Sequence, residues 1–397
     1  MTRSRRLELR DEDHAILLSA RTHLSASLED RLENLLREDL DWGYIQRKSQ
    51  AHHVYPLLYN SLRRFERCVP SEVLSQMRSE ARQNGLRNRL AREELLRVLG
   101  RFQEQGVRGM PFKGPTLAES VYGDLSLRVF GDLDILVPPD QVLKAKAALI
   151  SLGYTPLLSL NRAEERLYLR TDCEYHFGRP TPGGGFSVVE LHWSILLSSF
   201  TVSLDAGLLW QSASEVEVEG VRYARMSREN QFLAICLHAW KHFWKPLQCI
   251  CDLNEFLDRE QDQLDWNEIH WRARALRCEK IVITSLSVVR ALFNRETPPA
   301  FAAAVGNASH VAPLPRRVAA CIFPNEEDPA SILRVHTFYA SFLESPRMRL
   351  RYGWRVLTTP TTTDFRELSL PERFSTLYWL LRPFRLGWKT MRGRQRL

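Results

Sequence analysis

The sequence predicts an α+β protein: a small mixed β-sheet core flanked by N-terminal and C-terminal helical regions. Three observations carry that prediction. Up to about residue 105, apolar residues recur at three- and four-residue spacing within dense charge, which is the helical pattern. Between 107 and about 200, short β-type runs alternate with a helical run and turn signals. Beyond about 225 the helical period returns, with proline-rich punctuation at 298 and 299, 313 to 315, and 324 to 329. The chain divides accordingly into a helical region (1–105), an α/β core (106–225), a second helical region (226–345) and a basic C-terminal segment (346–397).

The elements follow in order. LEDRLENLLRED and the long run from Ser71 read as helices, and Gly106 closes the latter at a position suited to a left-handed cap. VRGMPFKG is a short strand ending in Gly114, and Pro115 stands where a first helical turn tolerates it. LRVFGDLDILV (127–137) is the second strand; PPDQVLKAKAALISLGY returns to helix and stops at Gly153. CEYHFGRP and FSVVELHWSI flank TPGGG as a hairpin. ENQFLAICLHAWKHFW opens the second helical region, which Pro246 kinks or ends.

Composition narrows the setting. A content of 44% hydrophobic and 26% charged residues is that of an ordinary globular protein. MTRSRRLELRDEDH has no apolar core of a signal peptide, and LHWSILLSSFTVSL (191–204) is shorter than the ~20 residues a membrane helix needs. Seven cysteines without a CxxC fit a reducing compartment, so a cytoplasmic location is expected. Cys249 and Cys251 form a lone CxC, too little for a zinc site. The net charge of +8 is uneven: Arg3, Arg5 and Arg6 open the chain, and Arg382, Arg385, Lys389, Arg392, Arg394 and Arg396 close it without an acid. Such termini are either solvated ends or weak contacts for nucleic acid, anionic lipid or nucleotide phosphates. YWLLRPFRLGWK (378–389) mixes aromatics with bases; its default is a helix packed on the core, its alternative a membrane surface.

Candidate chemistry centres on Asp132 and Asp134. In a strand they share a face about 6.6 Å apart, where two anions repel by about 2 to 3 kcal/mol at an effective dielectric near 20. A fold keeps such a pair when a cation or a proton stands between them. In FSVVELHW, Val188, Glu190 and His192 share one face, so a strand beside Asp132 would add Glu190 to the acidic set. Three carboxylates suit Mg²⁺ with substrate phosphates, and two such ions can clamp a phosphoryl transfer. Upstream, Lys113 and Gly114 stand at a strand-to-helix turn, where backbone N–H groups can approach an anion. Arg128 can pair with a phosphate oxygen or with the carboxylates. Exposed edge carboxylates are the plain alternative for the aspartates.

The run from Asn84 to Val137 resembles the uncharacterised nucleotidyltransferase family of the polymerase-β-type nucleotidyltransferase superfamily. Lys113, Gly114, Tyr122, Arg128, Asp132 and Asp134 stand at the matching places. HHVYPLLY (52–59), VELHW and LHAWKHFWKPLQCICDL (237–253) extend the likeness over roughly residues 40 to 260. The resemblance implies metal-dependent transfer of a nucleoside monophosphate from an NTP, releasing pyrophosphate. It implies Mg²⁺ (or Mn²⁺) on Asp132, Asp134 and Glu190, with Glu190 also helping to deprotonate an acceptor hydroxyl. Lys-Gly replaces the Gly-Ser of the wider superfamily, as it does in this branch.

A second polar group lies on ENQFLAICLHAWKHFWKP. Projected at about 100° per residue, His238, Lys241, His242 and Lys245 fall within an arc of about 100°. The stripe faces either water or the acidic pocket; in the pocket, Lys241 would meet triphosphate and His238 or His242 would place the acceptor. His192 reads as a core histidine bonded to Glu190 or as a catalytic base, and His52 and His53 as structural. The expected activity is nucleotidyl transfer to a small molecule, peptide, protein or RNA. The rivals are a catalytically silent binding protein on the same fold and another phosphoryl-transfer or hydrolysis enzyme using the same metal site.

Overall fold

The computed structural model describes residues 9–181, 184–202, 204, 206–307, 322, 332–368, 370, 371, 374 and 376–394. Arg3, Arg5, Arg6 and Arg396, and the proline-rich stretches at 313–315 and 324–329, lie outside the described residues. Five helices open the chain: α1 (Asp11–Ser19), α2 (Ala26–Leu36), α3 (Trp42–Ala51), α4 (Tyr55–Leu62) and the 34-residue α5 (Ser71–Glu104).

The sheet then begins with β1 (Met110–Pro111) and continues through β2 (Asp132–Leu136), β3 (Thr155–Pro156), β4 (Glu174–Pro180) and β5 (Phe186–His192). Its order is β1-β2-β5-β4-β3, with β2 and β5 parallel and every other pair antiparallel. The mixed sheet and helical flanks are those of an α+β fold. Between strands lie α6 (Gly114–Leu117), which widens into a π turn up to Tyr122, α7 (Val142–Ser151) and α8 (Arg162–Thr171).

Strand alternation explains how the sheet sits. Leu133, Ile135, Tyr175, Phe177, Val189 and Leu191 point to one face and join a core with Leu95, Val98 and Phe102 of α5 and Leu149 of α7. The intervening positions on β2, β4 and β5 carry Asp132, Asp134, Glu174, His176, Glu190 and His192, so the polar set is confined to the opposite face.

The strand read over 127–137 forms only from Asp132 to Leu136, and some elements were not read from the sequence at all. Helix α8 was not anticipated, although Asn161 and Glu164 form a capping box at its start. The hairpin of β6 (Ser214–Val218) and β7 (Val221–Arg225) was missed as well. Its turn residues Glu219 and Gly220 both have positive φ, 52° and 80°; glutamate is not the residue expected at such a position, so the turn signal is weak.

After α9 (Ala206–Gln211), helix α10 (Arg228–Lys241) ends before Pro246 and α11 (Gln248–Glu260) starts after it, as the proline implied. α12 (Trp266–Ala275), α13 (Glu279–Phe293) and α14 (Pro299–Asn307) follow, then helices at Ile332–Phe342, Pro346–Thr358, Thr362–Glu367 and Leu377–Arg394. One continuous apolar core joins α1–α4 to α10–α13 and to residues 338–352, so the helices before and after the sheet pack as one body. Among the described residues, no helix is long and apolar enough to cross a membrane.

Candidate functional site

Parallel pairing of β2 with β5 sets Asp134 opposite Glu190 and Asp132 opposite Val188, as the sequence pattern required for a shared acidic set. Antiparallel pairing of β4 with β5 sets Glu174 opposite His192 and His176 opposite Glu190. Two Glu-x-His pairs therefore run in opposite directions and cross-pair. His176 Nδ1 is 3.4 Å from Glu190, and His192 Nδ1 is 3.2 Å from Glu174.

Asp134 is buried and held by two cations at the same oxygen: Lys113 Nζ at 2.5 Å and His192 Nε2 at 3.1 Å. Burial alone would raise the Asp134 carboxyl, but Lys113 and His192 together hold it well below the usual range. Burial would likewise lower His192; Asp134, Glu190 and Glu174 outweigh it and lift the imidazole to about 9. His192 is thus cationic at neutral pH, a hydrogen-bond donor rather than a base.

Asp132 differs. Burial, then repulsion from Asp134 and Glu190, raises its carboxyl to about 6 despite the nearby Lys113 and Arg128. It is the poorly compensated anion of the group. At the other end, Lys241 Nζ lies 3.4 Å from Glu174. Burial disfavours the charge of Lys241, but Glu174 more than restores it and raises the group.

The stripe on α10 turns towards this face of the sheet. His238 Nδ1 is 3.5 Å from Lys113 Nζ, and the His238 and His242 rings are 4.6 Å apart. Burial first, then neighbouring lysines, brings His242 down to about 4 and holds His238 well below its ordinary value, so both are neutral at pH 7. Lys245 is exposed. His52 is buried and accepts a hydrogen bond at Nδ1 from the Leu247 N–H, a structural use.

Arg128 stands elsewhere. Its guanidinium donates Nε and Nη2 to the two oxygens of Asp252, at 2.8 and 2.9 Å, in a buried pair. Tyr122 donates its hydroxyl to the same carboxylate at 2.6 Å. Gln248, one turn earlier on α11, exchanges two hydrogen bonds with the backbone of Val129, each 2.9 Å. From the other side, Asn84 and Asn88 of α5 donate to the carbonyls of Leu125, Ser126 and Arg128 at 2.6 to 3.1 Å. The entry to β2 is therefore gripped by two helices, and this grip sets where Asp132 begins. Gly85 lets α5 come close enough, since a Cβ there would stand 3.1 Å from that of Ser126. Gly114 has φ +55°, and a side chain there would also crowd the Asp132 carbonyl at 3.3 Å.

The sequence reading missed Glu174, His176, Gln248, Asp252, Asn84 and Asn88. Signals existed for some. EYH and ELH repeat one polar alternation on two strands, and Asn-Gly with a second Asn one turn later is unfavourable inside a helix unless it has a partner.

Two sets of possible ligand atoms gather within 4.8 Å among the described residues: Asp134, Glu190 and His192, and separately Glu174, His176 and Glu190. Asp132 belongs to neither set, although Asp134 and Glu190 both help to raise its carboxyl. A cation bound to either set would also relieve the repulsion that raises the neighbouring Asp132 carboxyl.

Residues 38–294 match the family model described as an uncharacterised nucleotidyltransferase. The chain belongs to that family. No curated protein and no solved structure matches it. The family match extends from just before α3 through the sheet to the first residue after α13, and so includes every side chain of the site. A nucleotidyltransferase family and clustered acids agree with nucleotidyl transfer as the general chemistry.

Proposed function

We propose that the protein moves a nucleoside monophosphate from an NTP to an acceptor hydroxyl or amine. The acceptor atom attacks the α-phosphorus, the bond from that phosphorus to the oxygen bridging the β-phosphate breaks, and pyrophosphate leaves. The observation that carries this reading is the strand register that pairs Asp134 with Glu190 beside Lys113.

Asp132, Asp134 and Glu190 would hold Mg²⁺ or Mn²⁺, which neutralises phosphate charge when bound. Lys113, at the turn into Gly114, and Lys241 are the cations available to phosphate oxygens at opposite ends of the carboxylate row. His192 keeps Asp134 ionised and oriented. Glu190 or the neutral His242 takes the acceptor proton, and His238 supports Lys113. Arg128 contributes through its pair with Asp252, by holding the strand that carries both aspartates. Positioning and charge neutralisation supply most of the rate in such transfers.

Calorimetric titration of each NTP in Mg²⁺ tests the proposal, with the Asp132→Ala/Asp134→Ala variant alongside. The expected result is saturable, metal-dependent binding that the variant loses while keeping its circular dichroism spectrum. The Lys113–Asp134 pair favours a second reading, in which the lysine stands in for the metal and the fold only binds. Nucleotide binding indifferent to Mg²⁺ and to the double substitution would select it.

A further inference from the structure

The positive charge of this protein is not distributed over it. Residues 346–397 hold twelve Lys and Arg against three Asp and Glu, a net charge of +9, so residues 1–345 sum to −1. Within the segment, Arg382 and Arg385 are matched by Asp364, at 2.5 and 2.7 Å. Arg347 and Arg351 are exposed.

The same segment displays apolar side chains outward. On the helix Pro346–Thr358, Leu350 (77% exposed), Trp354 (67%) and Leu357 fall at i, i+4 and i+7, while Met348 and Tyr352 are buried. On the helix Leu377–Arg394, Leu377, Leu380, Leu381, Phe384 (78% exposed) and Trp388 fall at i, i+3, i+4, i+7 and i+11, with Tyr378 buried beneath. The two helices pack together, and Arg382 Nε donates to the Val356 carbonyl between them at 3.0 Å. Each helix thus spends one face on the protein and leaves the other apolar, with the exposed Arg347 and Arg351 beside the face of the first.

We infer that this paired-helix face docks on an anionic lipid bilayer surface. Charge complementarity selects the occupant. A second copy of the chain would bring two segments of +9 together, which repel. Nucleic acid would satisfy the arginines but leave the leucines and phenylalanine exposed to water. A bilayer interface takes both: Trp, Phe and Leu enter the headgroup boundary, and arginines meet the lipid phosphates. The inference does not depend on the nucleotidyl-transfer reading.

The test is co-sedimentation of the full chain with phosphatidylcholine vesicles, with and without about 30 mol % phosphatidylglycerol, a surface charge of the physiological kind. Binding is expected to the anionic vesicles, to weaken as salt rises, and to be slight on neutral ones. Trp354→Ala/Phe384→Ala and Arg347→Glu/Arg351→Glu should each reduce partitioning by about tenfold or more. Both pairs are exposed, so the melting temperature should stay unchanged. The inference fails if anionic vesicles do not bring the chain down, or if neither variant weakens binding. It fails equally if light scattering shows a dimer that Trp354→Ala/Phe384→Ala dissolves while vesicles go unbound.

Discussion

Asp132 shows how one residue can report what a site lacks. Its neighbour Asp134 is matched by Lys113 and His192, whereas Asp132 keeps a carboxyl raised to about 6 by burial and by two nearby carboxylates. The folded form holds that proton more tightly than the unfolded chain does. Its contribution to stability is therefore present below the ordinary carboxylate range and lost as pH rises through about 6. Above that pH the site carries an unrelieved charge, and a divalent cation relieves it. Mg²⁺ should raise the melting temperature at pH 7 and have little effect at pH 5, with affinity falling about tenfold per unit below pH 6 as one proton is displaced. Thermal melts with and without Mg²⁺ across that range measure it; stabilisation equal at both pH values would remove Asp132 from the cation site.

At the scale of elements, the decisive contacts hold residues 125–129, just ahead of β2. Asn84 and Asn88 on α5 grip their carbonyls, and Gln248 and Asp252 on α11 grip Val129 and Arg128. Removing Asp252 leaves the Arg128 guanidinium buried without its partner. Asp252→Ala should therefore cost about 3 to 5 kcal/mol in urea unfolding. The pair Arg128→Met/Asp252→Leu should recover most of that loss, because it removes both charges together. A mild effect of Asp252→Ala would mean that water reaches the guanidinium and that α11 does not place the strand. Two of the four gripping side chains, Gln248 and Asp252, lie beyond Pro246. The helix projection from α10 could not be carried past the interruption between the two helices there, and so it could not reach them.

Across the whole molecule, the helices on either side of the sheet share one core. Trp240 is fully buried at its middle, with ring centres 4.9 Å from Phe200 and 5.3 Å from Tyr339. Phe200 follows the last strand of the sheet, and Tyr339 lies in the helix Ile332–Phe342, so one side chain ties three regions. Trp240→Ala should destabilise the protein by about 3 to 5 kcal/mol. It should also lower the circular dichroism and fluorescence midpoints together, since the regions unfold as one body. Midpoints that separate in the variant would show that the helical regions are independent.

The sequence by itself determined most element types, though not α8 or the β6–β7 hairpin, together with the strand-borne Asp132 and Asp134 and the face they share with one another. It also placed Glu190 and His192 together, because alternation along a strand is a local property with a period of two. Legible too was the family, through Lys113, Gly114, Arg128 and the two aspartates in their spacing. The β4–β5 hairpin was legible in its TPGGG turn. That β2 lies beside β5 was decided only in three dimensions: the order β1-β2-β5-β4-β3 brings Asp134 opposite Glu190, across a separation that no short pattern encodes. The partner of Arg128 was decided the same way. A guanidinium can meet phosphate, a nearby carboxylate or a distant one with equal chemical ease, and here packing supplied Asp252, 124 residues away in the chain.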